Sequence, residues 1–382
     1  MLPFLAPYLQ QLWGPFRLFQ SHMMLIGMGA GLGAVLACLL ILKLSRFLPR
    51  DRGRAFATTR EEACGKPTGG GLLLVLALLP VLFLVFPASP RMWQITVCLV
   101  LVMFSGYFDD RGSVPWGEQR KLAMDAALAL IAAFVFCQGR QLSIWLPLVR
   151  DPVVLPVWLY LAIAVVVLVL AINATNCSDG VDGLAGTLTL VSLFYLGGFL
   201  YVVVGHREVA QYLLVPHNEN GAVWAILVFS GAGVLAGYLW FNAEPSSILM
   251  GDAGSRFFGL LVGIAVLASG NPLLILSITP MVLLNGGTGL LKLLLLRAFR
   301  RLGFEVRSPA LMAADGPIQA GRDNRGGGRQ SGLVEILHRV RFPLHDHCLK
   351  NLGWSKTQVL IRFFLLQTFL IPLLLVLLVK LR

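Results

Sequence analysis

Charge is what this chain is short of. Only 13% of its 382 residues are Asp, Glu, Lys or Arg, whereas 57% are hydrophobic, and such a chain lacks the polar surface of a water-soluble globule. The shortage is local as well as global: apolar residues run on for about twenty positions with few or no charges between them, as membrane-spanning helices require. Cysteine is equally thin. Cys38, Cys64, Cys98, Cys137, Cys177 and Cys348 are scattered with no CxxC pair, so neither a disulfide framework nor a zinc site is indicated and they read as small apolar fillers. Missing too is the basic start of a cleaved signal. Residues 1–20 carry Arg17 as their one charge, and their Leu, Phe, Tyr and Trp content fits a segment lying at the membrane interface. Acidic residues are outnumbered, leaving a net charge of +12. That excess does not point to nucleic acid, because basic residues in loops beside membrane spans follow from topology.

Ten apolar runs meet or approach the length of a span: 23–44, 69–87, 92–108, 122–138, 153–173, 184–204, 221–241, 256–270, 272–296 and 359–379. The expected fold is therefore all-α, a polytopic membrane protein of about ten transmembrane helices forming a single domain over 1–382. The eighth run is short, and the first carries Gly27, Gly29, Gly31 and Gly33, two overlapping GxxxG spacings suited to close helix packing. With the amino terminus outside, seven of the 31 basic residues fall on the outer side and 24 on the inner. This asymmetry predicts both termini outside. The cytoplasmic side then receives the loops near 45–68, 109–121, 174–183, 242–255 and 297–358. Within the last of these, 303–335 reads as a flexible insertion rich in Gly and Arg.

Every conspicuous polar motif falls in one of those five loops. Between the fifth and sixth runs, Asn173, Asn176, Asp179 and Asp182 stand three residues apart, which keeps them near one face if the preceding helix continues. Gly180 and Gly183 interleave with them and permit close approach of a backbone or ligand. Hard oxygen ligands beside glycine suit a magnesium-phosphate site; a polar turn joining two spans is the plainer alternative. Lys66-Pro67-Thr68-Gly69-Gly70-Gly71 precedes the second run, where helix-start N–H groups can cradle an anion. Asp109-Asp110 ends the third run, and two adjacent carboxylates at a membrane end favour a cation or proton between them. Lys121 and Asp125 open the fourth run; Lys121 can face a phosphate or simply snorkel. Asn242 and Met250-Gly251-Asp252-Ala253-Gly254-Ser255 precede the eighth run, offering a carboxylate, a hydroxyl and free N–H groups at one helix start. Phe342-Pro343-Leu344-His345-Asp346-His347, with Gly353-Trp354 after it, supplies two histidines that become phosphate partners only beside an anionic site.

Taken together, these motifs resemble the polyprenyl-phosphate N-acetylhexosamine-1-phosphate transferases, and within them the phospho-N-acetylmuramoyl-pentapeptide transferase family. The resemblance extends from Pro67 to Arg362 and keeps the order and loop placement of the motifs. It implies a Mg²⁺-dependent enzyme of the bacterial inner membrane, active on the cytoplasmic side. Such an enzyme moves phospho-MurNAc-pentapeptide from UDP-MurNAc-pentapeptide to undecaprenyl phosphate, releasing UMP and forming lipid I in peptidoglycan synthesis. Homodimers are usual in the family. By residue, Asp252 matches the principal metal ligand, Asp109 and Asp110 face the lipid phosphate, and Lys121, Asn176, Asp179, Asp182, Asn242, His345 and His347 match substrate-binding positions. Three positions depart from the family pattern: Asp346 stands for a middle histidine, Leu249 for a phenylalanine and Gly69 for a methionine. The Met-Gly-Asp-Ala-Gly-Ser segment also resembles the branch that takes UDP-GlcNAc. A transporter of lipid or solute is the rival class, but it predicts inverted repeats and midplane charges, whereas no internal repeat is evident and the carboxylates gather at one membrane face.

Overall fold

The computed structural model describes residues 1–51, 64–87, 89–112, 114, 116–138, 142–149, 151–301 and 341–380; the insertion expected at 303–335 lies outside them. Long apolar stretches that cannot satisfy their backbone with water become helices, and the chain is built almost wholly of them. They are α1 (Leu2–Leu12), α2 (His22–Leu44), α3 (Gly71–Val85), α4 (Pro90–Arg111), α5 (Glu118–Cys137), α6 (Val157–Ser178), α7 (Leu184–Gly198), α8 (Gly221–Asn242), α9 (Gly251–Ala268), α10 (Thr288–Arg301) and α11 (Lys356–Lys380), with shorter turns between. The all-α expectation needs one amendment. Ser143–Ile144 and Val153–Val154 pair as a two-residue antiparallel ladder, Ser143 opposite Val154 and Ile144 opposite Val153.

Among the described residues, seven helices are long and apolar enough to cross a membrane. The sequence count of ten exceeds this by three, for separate reasons. α3 has 15 residues and Pro80 within it, short of the roughly 20 that a straight crossing takes. α5 opens with Glu118, Arg120, Lys121 and Asp125, too much charge for its apolar second half to offset. The run at 272–296 is broken into Leu274–Ile278, Pro280–Val282, a π turn over Leu283–Gly287, and α10, because Pro280 lacks an N–H and Gly286-Gly287 weakens helix continuation. At the amino end, α1 and the turn after it leave Phe4, Tyr8, Leu12 and Trp13 exposed, as a segment at a membrane interface would.

One helix organises the bundle. All 18 residues of α9 are buried, and α3, α4, α5, α6, α7 and α8 each pack against it. Glycine lets its neighbours come that close: a Cβ at Gly259 would lie 2.6 Å from the Ile172 Cα of α6, and one at Gly263 would lie 2.8 Å from the Leu168 side chain. The outer pair α2 and α8 uses the same device. Of the two GxxxG spacings in α2, the structure buries Gly29 and Gly33 in a stripe with Leu25, Ala37 and Ile41; Gly33 lies on Ser230 and Val234 of α8, while Gly233 and Gly237 meet the α2 backbone at Ala30 and Ala34. Gly27 and Gly31 face outward with nothing within 4 Å of an added Cβ.

Gly233→Leu is accordingly expected to cost about 1–3 kcal/mol through overpacking and to lower the unfolding midpoint of the purified protein in detergent. Gly27→Leu should leave that midpoint where it is; equal effects at the two positions would contradict the assigned helix face.

Candidate active site

The first turn of α9 is the point on which the polar loops converge. A helix start leaves N–H groups without intrahelical partners, and here Asp110, from the end of α4, takes two of them: Asp252 N–H donates to its Oδ1 and Ala253 N–H to its Oδ2, both at 3.0 Å. The approach depends on glycine. Gly251 has φ +70° and Gly69 has φ +73°, left-handed conformations that favour glycine, and the space a Gly251 side chain would need is filled by the Asp110 carboxylate and by Gly69 N.

Beside this cap the acidic and basic side chains alternate. Lys121 Nζ lies 2.5 Å from Asp109 Oδ2 and 2.7 Å from Asp252 Oδ2. Arg256, one turn along α9 from Asp252, places Nη2 3.2 Å from the same Asp252 oxygen and 3.7 Å from Asp109 Oδ2. Its Nη1 is 3.3 Å from Asp125 Oδ1 on α5. The Asp109, Asp125 and Asp252 side chains are 3%, 1% and 1% exposed and Arg256 is fully buried, whereas Lys121 retains 23%. Asp109 is held at its other oxygen too, by the Trp116 N–H at 2.7 Å, and the Trp116 ring is covered by the Arg120 guanidinium at 4.0 Å. At the C-terminal side, Asn176 reaches α9 through Ser255, whose hydroxyl is 3.0 Å from Asn176 Oδ1 and 2.9 Å from Gly251 O.

The 179–183 loop forms the second half of the site. α6 ends at Ser178, so the three-residue spacing is helical at Asn173 and Asn176 but not at Asp179 and Asp182. Asn173 donates to Val169 O of its own helix at 2.9 Å, and its amide also stands beside the Asp125 carboxylate. Asp182 Oδ2 accepts from Lys66 Nζ at 3.3 Å and from Ser246 N–H at 3.0 Å, tying three loops together. Asn242 spends both ends of its amide on the fold: Oδ1 accepts from Gly183 N–H and Nδ2 donates to Ile248 O, each at 2.9 Å. Gly183 has φ +76°. The His345 ring closes the loop from the far side, lying directly on Gly180.

His345 is tethered by Asn285, whose Oδ1 accepts from the His345 backbone N–H at 2.9 Å and lies 3.0 Å from Nδ1. That contact puts the ring proton on Nδ1. Burial holds the imidazole below the ordinary histidine range, against the upward pull of the Asp346 carboxylate, which stands 3.9 Å from Nε2. His347 is set apart: its Nδ1 lies 3.5 Å from Arg341 N.

The structure thus brings Asp109, Asp110, Lys121 and Asp252 into direct contact, links Asn176 to them through Ser255, and gathers Asp179, Asp182, Asn242 and His345 around one loop. Sequence reasoning missed Arg256, the partnership of Asp125 with it, and Asn285. A signal for the first two was present. Lys121 and Asp125, like Asp252 and Arg256, are charges one helical turn apart inside otherwise apolar runs, which is a costly arrangement unless they meet one another.

Comparison with known proteins identifies what the chain is similar to. Residues 92–270, from α4 to the end of α9, match the Glycosyl transferase family 4 model; the match covers the site residues from Asp109 to Arg256 and leaves out Lys66, Gly69, Asn285 and His345. The phospho-N-acetylmuramoyl-pentapeptide-transferase of Treponema pallidum (strain Nichols) is 43% identical over 378 residues, covering 98% of this chain and 95% of that protein. Proteins of the same name from Chloroherpeton thalassium and Bartonella quintana are each 27% identical, the first covering 97% of both chains and the second 81% of this chain and 78% of its own. With a relative this similar over nearly its whole length, the chain belongs to the phospho-N-acetylmuramoyl-pentapeptide-transferase family.

Proposed function

We propose that this membrane protein transfers phospho-MurNAc-pentapeptide from UDP-MurNAc-pentapeptide to undecaprenyl phosphate, forming lipid I and UMP at the cytoplasmic face of the bacterial inner membrane. The observation that carries the proposal is the convergence of Asp109 and Asp252 on one cation, the Lys121 ammonium, at the first turn of a buried helix. An exchange of one phosphoanhydride for another asks the protein mainly to neutralise charge and to align the attacking oxygen with the leaving group. An oxygen of the lipid phosphate attacks the sugar-bearing phosphorus, a new P–O bond forms, and the bond to UMP breaks with its electron pair leaving on the UMP oxygen.

The residues present fit Mg²⁺. Asp109 and Asp252 already share a cation through oxygens within 2.7 Å of it. Among the described residues no three acids or histidines group as a closed metal cage, and Mg²⁺ is commonly held by one or two carboxylates together with substrate phosphates. Asp252 and Asp109 would hold the ion, which when bound supplies charge neutralisation on the diphosphate. Lys121, the most exposed member, can turn to a substrate phosphate. Asp110 holds the first turn of α9 in place through its two backbone hydrogen bonds. Asp109 is poorly suited to act as a covalent nucleophile, since one oxygen accepts from Trp116 and the other is held by Lys121; orienting the lipid phosphate suits it better. The 179–183 loop, with Lys66 and His345 on either side, is the natural place for the nucleotide. Phe104 and Phe108 stack at 6.2 Å on the same helix as Asp109 and remain exposed, giving a polyprenyl chain an apolar approach.

The test is Mg²⁺-dependent UMP release in detergent with undecaprenyl phosphate, offering UDP-MurNAc-pentapeptide and UDP-GlcNAc side by side. Turnover with the muramoyl substrate alone is expected; turnover with UDP-GlcNAc alone would move the enzyme to the other branch of the superfamily. Asp252→Asn should lower kcat by about a hundredfold or more, and full activity in that variant would remove Asp252 from the metal site. With labelled UDP-sugar and no lipid acceptor, no phosphorylated aspartate should accumulate, and a trapped aspartyl-phosphate would replace direct attack by a two-step route.

A further inference from the structure

Arg256 has no access to solvent, and a cation so placed costs several kcal/mol in desolvation unless its surroundings offset it. What surrounds it is a ladder built across two helices. α5 carries Lys121 and Asp125 one turn apart, α9 carries Asp252 and Arg256 one turn apart, and the rungs join opposite charges: Lys121 to Asp252 at 2.7 Å and Arg256 to Asp125 at 3.3 Å. A diagonal contact links Arg256 to Asp252 at 3.2 Å. Stability does not account for the arrangement. Buried ion pairs are often no better than well-packed apolar residues, and this one leaves Arg256 Nε and Asp125 Oδ2 without hydrogen-bond partners.

Lys121 and Arg256 hold the same Asp252 oxygen, but they differ in freedom. Lys121 is 23% exposed and can leave; Arg256 is fixed at its far end by Asp125. When Lys121 departs, Arg256 Nη2 is the side-chain cation still in contact with both Asp252 and Asp109; without it, and before a metal ion arrives, two buried carboxylates would face each other and mutual repulsion would drive them apart.

Resting on the transferase reading of the site, we propose that Arg256, anchored by Asp125, is a positioning residue for the reaction: it is the resident cation that keeps Asp252 and Asp109 converged when Lys121 moves to a substrate phosphate. The guanidinium suits this task because separate nitrogens of its rigid planar fork reach Asp125 and Asp252, whereas an ammonium offers a single nitrogen on a flexible stem. Its cost is competition, since a cation lodged against Asp252 weakens the hold of that carboxylate on a metal ion in the absence of substrate.

Arg256→Met/Asp125→Leu removes the anchored pair as a unit and leaves Asp109 and Asp252 sharing Lys121. For this variant the expected results are a melting temperature near that of the parent, kcat lower by about a hundredfold, KM for the UDP-sugar within about threefold, and Mn²⁺ binding without substrates about tenfold tighter, read by electron paramagnetic resonance. Parental kcat together with parental Mn²⁺ affinity would show that the pair is structural only and overturn the proposal. Should the double variant melt early, Arg256→Lys carries the test: kcat reduced more than tenfold at unchanged KM supports positioning, and kcat within twofold of the parent overturns it. The Mn²⁺ titration needs no turnover. Absence of UMP release from the parent protein would therefore sink the transferase reading while still leaving the role of Arg256 decided by metal affinity.

Discussion

Asp252 can be buried only because cations share it. A carboxylate at the start of a helix that has no exposed residue would ordinarily be protonated or excluded, and here Lys121 and Arg256 meet it while Asp110 fastens the backbone beneath it. From that one constraint much of the surrounding structure follows. α4 must end where Asp109 and Asp110 can reach the turn, α5 must start with Lys121 level with Asp252, and the polar ends of α6 and α8 must close the opening around them.

The second requirement is closeness, which glycine supplies. α9 packs against α3 to α8, and carboxylates and backbone N–H groups can meet across those contacts only where no side chain intervenes. Gly251 and Gly69 admit Asp110; Gly106 of α4 lies against the Asp252 backbone; Gly180 yields its face to the His345 ring. Glycine in a membrane helix loses little that a neighbouring helix does not return through packing, so these positions are better understood as contact points than as hinges.

Much of the site was legible in the sequence because polar residues are conspicuous in an apolar chain. Asp109, Asp110, Lys121 and Asp252 stood out for that reason, and the structure places them in one cluster. The fold was legible where runs were uniform, as in α2, α6, α8 and α11. It was less so where a run concealed a break: the stretch 272–296 is apolar enough to read as one span, yet Pro280 and Gly286-Gly287 divide it, and the same break sets Asn285 under His345. The three-residue ladder from Asn173 to Asp182 was periodic on paper, but periodicity does not reveal that α6 stops at Ser178 and that Asp182 turns to Lys66 and Ser246. Arg256 escaped notice because the motif before it ends at Ser255, although its place one turn from Asp252 in an apolar helix was a signal that it meets charge; which residue on another helix anchors it only the structure shows. The two GxxxG registers of α2 were indistinguishable for the same reason, since only α8 decides which face is used.

The central claim is that the carboxylates at the first turn of α9, rather than those of the 179–183 loop, form the metal site. The direct measurement is the anomalous scattering of Mn²⁺ in crystals of the protein grown with a UDP-sugar. The account predicts a peak against the Asp252 and Asp109 carboxylates, with Lys121 drawn away toward phosphate and Arg256 in place. A peak between Asp179 and Asp182, with Lys121 still bridging Asp109 and Asp252, would contradict it.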